Sequence, residues 1–477
     1  MIENKFLNKI SFNNIDVSLV NALRRICLAN IRTYVIKEDD IDIQKNTTRF
    51  NNEILKQRIQ CIPVHILDNS DETSENKYLD KTQGDFKAIH PDNIVDNNGD
   101  KIDVNNLILK LKKDNKGGTK TTEYVTTQDI EIYSSIDSTE EIIINNVNND
   151  NQPKNKVTLS SIVFSPDPIT GKHIVIARLK PPIDTSLPGE SLEFTATLSL
   201  GTAKENGSFN VVSTCAYENK VDEKKSQEQW EAKKKELIES NTDKTQINME
   251  EHNWKLLNGK REQYRNNKGD VFNLCLTNAF DFKIETVGVY SNLVILHKAC
   301  VIMQQKCDEF ISSIEKNNGN HVKIAHNQNT TQPYEFCATL HNEDYTIGNP
   351  IVHYIFDKYY GDGETEKQIT IEFMTTDNNI EDSVDESNEN KDDSLQRTIK
   401  YVMKMTFVGF KVPHPHIPDG IIRIIYENVE ENTPILDHHK DIIIRKLREQ
   451  TAICLKSGAM NIKTDFNNII NEFTPQK

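Results

Sequence analysis

Four histidines come closest to a chemical constellation in this sequence: His414 and His416 in one segment, His438 and His439 in another. Imidazole is a common metal ligand, so two such pairs raise the question of zinc or a related ion. Against it, no carboxylate or cysteine stands at ligand spacing to His414 and His416. That pair also sits among Pro413, Pro415 and Pro418, which favour an extended loop because proline lacks a ladder donor and biases the preceding residue away from helix. The expectation is no metal and no cofactor. The eight cysteines, at 27, 61, 215, 275, 300, 307, 337 and 454, contain no Cys-x-x-Cys pair and read as reduced thiols. From Asp377 to Asp393 eight acidic residues stand against one lysine. Like charges at that density stay solvated rather than converging on two Mg2+ ions. With no P-loop, Asp-x-Asp cluster or Ser/His/Asp arrangement visible, the sequence predicts no catalytic centre of its own. The Arg24-Arg25 pair remains. Beside an apolar stripe it reads as a solvated helix face, although paired guanidinium groups also suit bidentate contact with a partner.

Periodicity supplies the elements that carry these residues. After Asp16, a cap residue, Leu19, Val20, Leu23, Ile26, Cys27 and Ile31 form an apolar stripe, leaving Asn21, Arg24 and Arg25 mainly on the other side. A second short helix starts at Asn51 or Asn52 and presents Ile54, Leu55, Arg58 and Ile59 before Pro63 stops it. From about residue 66 to 217 the chain reads as β-rich with polar loops, including one strand over 173–179 and strict alternation over 191–201. Residues 221–265 are charged, with Trp230, Leu237, Trp254 and Leu257 too thinly spread for a core helix, and read as a surface helical insertion. Residues 281–288 predict a strand leading into the most regular helix, with the stripe Leu296, Cys300, Met303, Cys307, Phe310, Ile311 and Ile314. A polar connector, 316–332, leads to a strand through Phe336 and Leu340. There follows a helix capped by Thr346, with Asp344 at its positive end and Ile347, Ile351, Tyr354 and Ile355 at helical spacing. Near the end Ile444, Leu447, Thr451 and Leu455 share one helical face, and Phe466, Ile469, Ile470 and Phe473 another.

The 477 residues allow two to four domains, and the 36% apolar content implies solvated loops around their cores. The net charge of −15, with no basic stripe, makes any contact with DNA indirect. The first ten residues show no apolar core followed by a cleavage site, and no run approaches membrane-spanning length, so the expectation is an intracellular protein with no membrane partner.

Two independent resemblances then enter. Glu343-Asp344-Tyr345-Thr346-Ile347-Gly348-Asn349, followed by Phe407-Val408-Gly409-Phe410-Lys411-Val412-Pro413-His414-Pro415, resembles the small alpha-like subunit of cellular RNA polymerases, the eleventh subunit of polymerase II. Asn21-Ala22-Leu23-Arg24-Arg25, followed by the run from Asn51 to Val64, resembles the large alpha-like subunit, the third subunit of polymerase II and the bacterial alpha N-terminal domain. Residues 200–212 partly match the passage closing that subunit's inserted domain, with a lysine and a proline missing.

The resemblance implies an α+β chain of two tandem alpha-type dimerisation folds, each an antiparallel sheet with long helices, forming an intramolecular pseudo-dimer. The first would occupy 1–65 and 270–316, interrupted by a β-rich domain at 66–220 and the charged helical insertion at 221–269. A connector at 317–332 would join it to the second fold at 333–477, which carries the acidic loop 376–396. By the same resemblance Asn21, Arg24, Arg25 and Arg58 are assigned to partner docking. Leu296, Met303, Phe310, Ile314, Ile347, Ile351, Ile444, Leu447 and Leu455 are assigned to the pseudo-dimer interface. The implied function is a non-catalytic platform that docks the largest and second-largest polymerase subunits, with a small zinc-binding subunit as a further partner. A large DNA virus transcribing in the host cytoplasm is the implied source. The alternative from another class is a nucleic-acid-binding transcription regulator.

Overall fold

The first helix begins at its expected cap. In the computed structural model, which describes residues 7–68, 88–95, 101–116, 121–135, 141–145, 156–182, 188–266, 269–316, 319–328, 330–360, 368–375, 397–429 and 435–473, Asp16 accepts the Ser18 N–H at 2.7 Å and opens α1, Val17–Ala29. The chain divides into two compact units, Met1–Ile302 with Phe473–Lys477, and Met303–Glu472.

In the first unit, strand Leu7–Asn13 pairs antiparallel with Cys275–Thr286, which pairs in turn with Val212–Val221. Against the last two strands α1 buries Leu19, Val20, Leu23, Ile26 and Cys27. Each large aliphatic group there contributes about 1.5–3 kcal/mol by leaving water. A second core lies under a four-stranded antiparallel sheet in the order Ile41–Asn46, Ser191–Thr197, Leu107–Asp114, Ile130–Ser134. Helix α2, Asn52–Gln60, is capped by Asn51 and sends Leu55 and Ile59 into this core, together with the single-turn α3, Leu159–Val163.

The insertion is therefore drawn differently from the 66–220 span. Strand Ile41–Asn46 and α2 belong to its core, whereas Val212–Val221 belongs to the first sheet. The alternating run 191–201 also serves two sheets: Ser191–Thr197 stays in the inserted one, and Ser199–Thr202 pairs with Arg32–Val35. Alternation records which face is apolar but not which sheet it covers. The strand expected over 173–179 shortens to Val175–Leu179, paired with Glu123–Thr126.

The charged insertion forms a hairpin of α4, Glu223–Glu239, and α5, Lys244–Leu256. Its thin stripe suffices because Trp230 and Trp254 meet each other, with ring centroids 5.8 Å apart, over Leu274, Tyr264 and Phe272. The indole N–H of Trp254 donates to Ser226 Oγ at 3.3 Å, and Ser226 Oγ donates to the Gly259 carbonyl at 2.9 Å. The long helix α6, Asn292–Lys316, follows.

The second unit is a five-stranded antiparallel sheet in the order Val322–His326, Glu335–Leu340, Gly420–Asn428, Arg397–Lys411, Gln368–Thr375. Helix α7, Tyr345–Tyr360, packs on it, and α8, Lys440–Phe473, closes the chain. Three expectations change here. The 317–332 connector contains the edge strand Val322–His326, bonded to Glu335–Leu340. Asp344 rather than Thr346 caps α7, accepting the Thr346 N–H at 2.8 Å while Thr346 itself is buried. On α8 it is Ile443 that reaches the core, with Ile444 half-buried, and one stripe continues through Leu447, Thr451, Leu455, Ala459, Ile462 and Phe466. The acidic run 376–396 and the Phe473 side chain lie outside the described residues.

Candidate assembly surface

The two segments that resemble the small alpha-like subunit are far apart in sequence and touch in the fold. Phe410, on strand Arg397–Lys411, lays its ring across Gly348 of α7 and Gly420 of the next strand; a methyl group at either glycine would sit inside the ring carbons. Tyr345 meets the same ring edge-on, with centroids 5.2 Å apart. The turn before α7 is held from the same corner. Asp419 accepts the Asn342 N–H at 3.0 Å and contacts His341 Nδ1 at 3.0 Å, while Asn342 takes a positive φ of 60°. The Asn342 N–H and then His341 hold the Asp419 carboxyl below the usual carboxylate range. Lys306 of α6 donates to Glu343 of this turn at 2.5 Å. No residue pattern marks Asp419, because a lone aspartate after a proline reads as an ordinary turn residue.

Helices complete the second unit. Ile351 packs against Gly458, where α7 and α8 approach closely. Tyr359 Oη lies 3.1 Å from Cys454 Sγ, Tyr354 Oη donates to Asp465, and Tyr426 Oη lies 3.0 Å from Thr451 Oγ1. Met303, Phe310, Ile347, Ile351, Leu447 and Leu455 are all buried here, and Ile314 is half-buried; Leu296 is buried in the first unit. Burial pushes the Cys300 thiol up strongly and the Cys307 thiol to about 12, which marks both as packing groups rather than thiolates.

On α1, Asn21, Arg24 and Arg25 are half-buried, with Arg24 Nε donating to Asn21 Oδ1 at 3.1 Å. Arg58 stands apart from them. Its guanidinium donates to the carbonyls of Ile176 at 2.8 Å and Val175 at 2.7 Å and lies over the Phe50 ring, so it ties α2 to the inserted domain. Those bonds use Nε and Nη2 of a side chain that is otherwise exposed.

His414 Nδ1 accepts the His416 N–H at 3.1 Å, and the buried His439 contacts Tyr401 Oη at 3.0 Å through Nδ1. Among the described residues no group of three or more His, Cys, Asp or Glu side chains is arranged to hold a metal ion, and no helix is long and apolar enough to cross a membrane.

A conjugation stage-specific protein of Tetrahymena thermophila is 32% identical over 115 residues, which cover 23% of this chain and 35% of that protein. The chain thus spans about a third of the length of that relative. The family model of the RNA polymerase Rpb3/Rpb11 dimerisation domain matches residues 9–307, well over half of the chain, from strand Leu7–Asn13 into α6. On that match the chain belongs to the RNA polymerase Rpb3/Rpb11 dimerisation-domain family.

Proposed function

We propose that both halves of an alpha-like pair are joined in this one polypeptide, which serves as a non-catalytic platform docking the largest and second-largest polymerase subunits. The observation that carries the fused reading is the contact of Phe410 with Gly348 and Gly420: it brings the two small-subunit-like segments together beyond the matched region. Joining the halves makes their pairing intramolecular, so that it no longer depends on chain concentration. A small zinc-binding subunit is a further partner in this reading. The fused arrangement and the Asn-rich sequence are the grounds for an origin in a large DNA virus that transcribes in the host cytoplasm.

Docking is assigned to the Asn21, Arg24 and Arg25 side of α1, where two guanidinium groups flank an apolar stripe. Replacing Arg24 and Arg25 together by glutamate is expected to cut co-purification of the second-largest subunit at least tenfold while leaving the chain folded. Unchanged recovery would overturn the assignment. The purified chain alone is expected to incorporate no nucleotide, and incorporation above a mock preparation would sink the non-catalytic reading. A DNA-binding regulator would instead show salt-dependent binding by the lone chain, which the charge of −15 disfavours.

A further inference from the structure

Within the second unit, the C-terminal half of α6 lies beside α8 along a ladder of polar contacts. Gln304 Nε2 donates to Asn467 Oδ1 at 2.8 Å, Lys463 Nζ donates to both carboxylate oxygens of Asp308 at 2.7 and 2.8 Å, and Lys456 Nζ donates to Glu315. Along α6 the rungs step from 304 to 308 to 315; along α8 they step back by the same intervals, from 467 to 463 to 456. Only antiparallel helices in one fixed register meet this way, since residues three, four and seven apart share a helix face. The same register places Ile311, half-buried, opposite Met460, which is 46% exposed. The buried Met303, Cys307 and Phe310 lie one position back on α6, so the ladder runs along the wet edge of a packed seam. Lys306 of α6 pairs instead with Glu343, in the turn before α7, and is not a rung.

The signs are sorted by helix: both acids of the ladder are on α6 and both lysines on α8. An antiparallel pair of two α6 helices centred between Ile311 and Ser312 would set Asp308 against Glu315. Two α8 helices centred between Ala459 and Met460 would set Lys456 against Lys463. Both arrangements oppose like charges twice, whereas α6 with α8 opposes unlike charges twice. The four side chains are between 33% and 55% exposed, so each pair adds little to stability in itself and its effect lies in the contrast between right and wrong partners. We propose that this ladder is a pairing code that selects α6 with α8 and rejects a second copy of the chain joined through two α6 or two α8 helices. The inference rests on the reading of α6 and α8 as helices of two alpha-like halves.

The test uses the purified full chain. Asp308→Lys with Glu315→Lys, and separately Lys456→Glu with Lys463→Glu, should each lower the unfolding midpoint at low salt by roughly 2–4 °C. The fourfold exchange should restore it, and 1 M salt should erase the differences. Selection is read by co-expressing two tagged copies, one with the α6 reversal and Ile311→Cys, the other with the α8 reversal and Met460→Cys. That mixture should give an inter-copy disulfide in several-fold higher yield than the same two cysteine variants on the native ladder. Losses that add up in the fourfold exchange, or equal disulfide yields in both backgrounds, would overturn the code. No polymerase subunit enters these measurements. A failed exchange with docking intact therefore counts against the code alone, and a restored exchange without docking counts against the proposed function alone.

Discussion

Replacing Gly348 by leucine is expected to destabilise the second unit by on the order of 3 kcal/mol, seen as an unfolding midpoint lower by roughly 5–10 °C and a reduced soluble yield. A side chain at 348 must enter space already filled by Cγ, Cδ2 and Cε2 of Phe410. The ring cannot retreat, because the Gly420 position blocks its far side and Tyr345 meets its edge. Leucine would improve helix propensity by up to about 1 kcal/mol, which is too little to offset the overlap. Shortening the obstacle should then help: Gly348→Leu combined with Phe410→Ala is expected to recover part of the loss, although Phe410→Ala alone is itself destabilising. If Gly348→Leu melts like the parent chain, the two segments are not packed as described. If the chain docks the large polymerase subunits as proposed, their co-purification with this variant should fall in proportion to the folded fraction.

Why the two segments of that contact were legible while other elements were not is a matter of range. Each of the two segments has local chemistry of its own, a capped turn entering a helix and a strand running into prolines, so each could be read where it stands. The same holds for α1, whose Asp16 cap and six buried residues lie within one helix. Strand Val322–His326 was hidden because an edge strand with one wet face carries Lys323 and His326 between its apolar positions, and pairing with Glu335–Leu340 decides its state. The hairpin core was hidden because Trp230 and Trp254 each look isolated until the turn between α4 and α5 brings them together. The bonds of Arg58 were hidden for the converse reason: its motif is local, but its acceptors, the carbonyls of Val175 and Ile176, are more than a hundred residues away. The ladder between α6 and α8 joins residues still farther apart, and no spacing within either helix announces it.

Arg423→Ala is expected to cost roughly 2–3 kcal/mol at neutral pH, because it leaves a buried carboxylate short of its charged partner. Glu335, with 2% of its side chain exposed, accepts from Arg423 Nη2 at 2.6 Å and from Asn327 Nδ2 at 2.8 Å. Burial pushes the Glu335 carboxyl up, but the Arg423 hydrogen bond, the Asn327 hydrogen bond and the Arg423 charge together hold it below the ordinary glutamate value of 4.5. A depressed folded-state value means that the contribution of Glu335 is complete above pH 4.5 and is lost as the pH falls through the folded value. Without Arg423 the balance reverses: burial dominates, the carboxyl titrates higher, and the variant regains stability relative to the parent once the group is neutral. Denaturant unfolding at pH 7 and pH 4 should therefore show a gap that narrows on acidification. A gap of the same size at both values would mean that Arg423 acts by packing over Phe407, which its guanidinium approaches at 5.7 Å, rather than by charge. The stake for assembly is the central strand pair Glu335–Leu340 and Gly420–Asn428, where Glu335 and Arg423 sit. Gly420 and Asp419 at the start of the second strand shape the Phe410 contact and the turn before α7, so loosening this pair should weaken Gly348 packing and Arg423→Ala should be more than additive with Gly348→Ala.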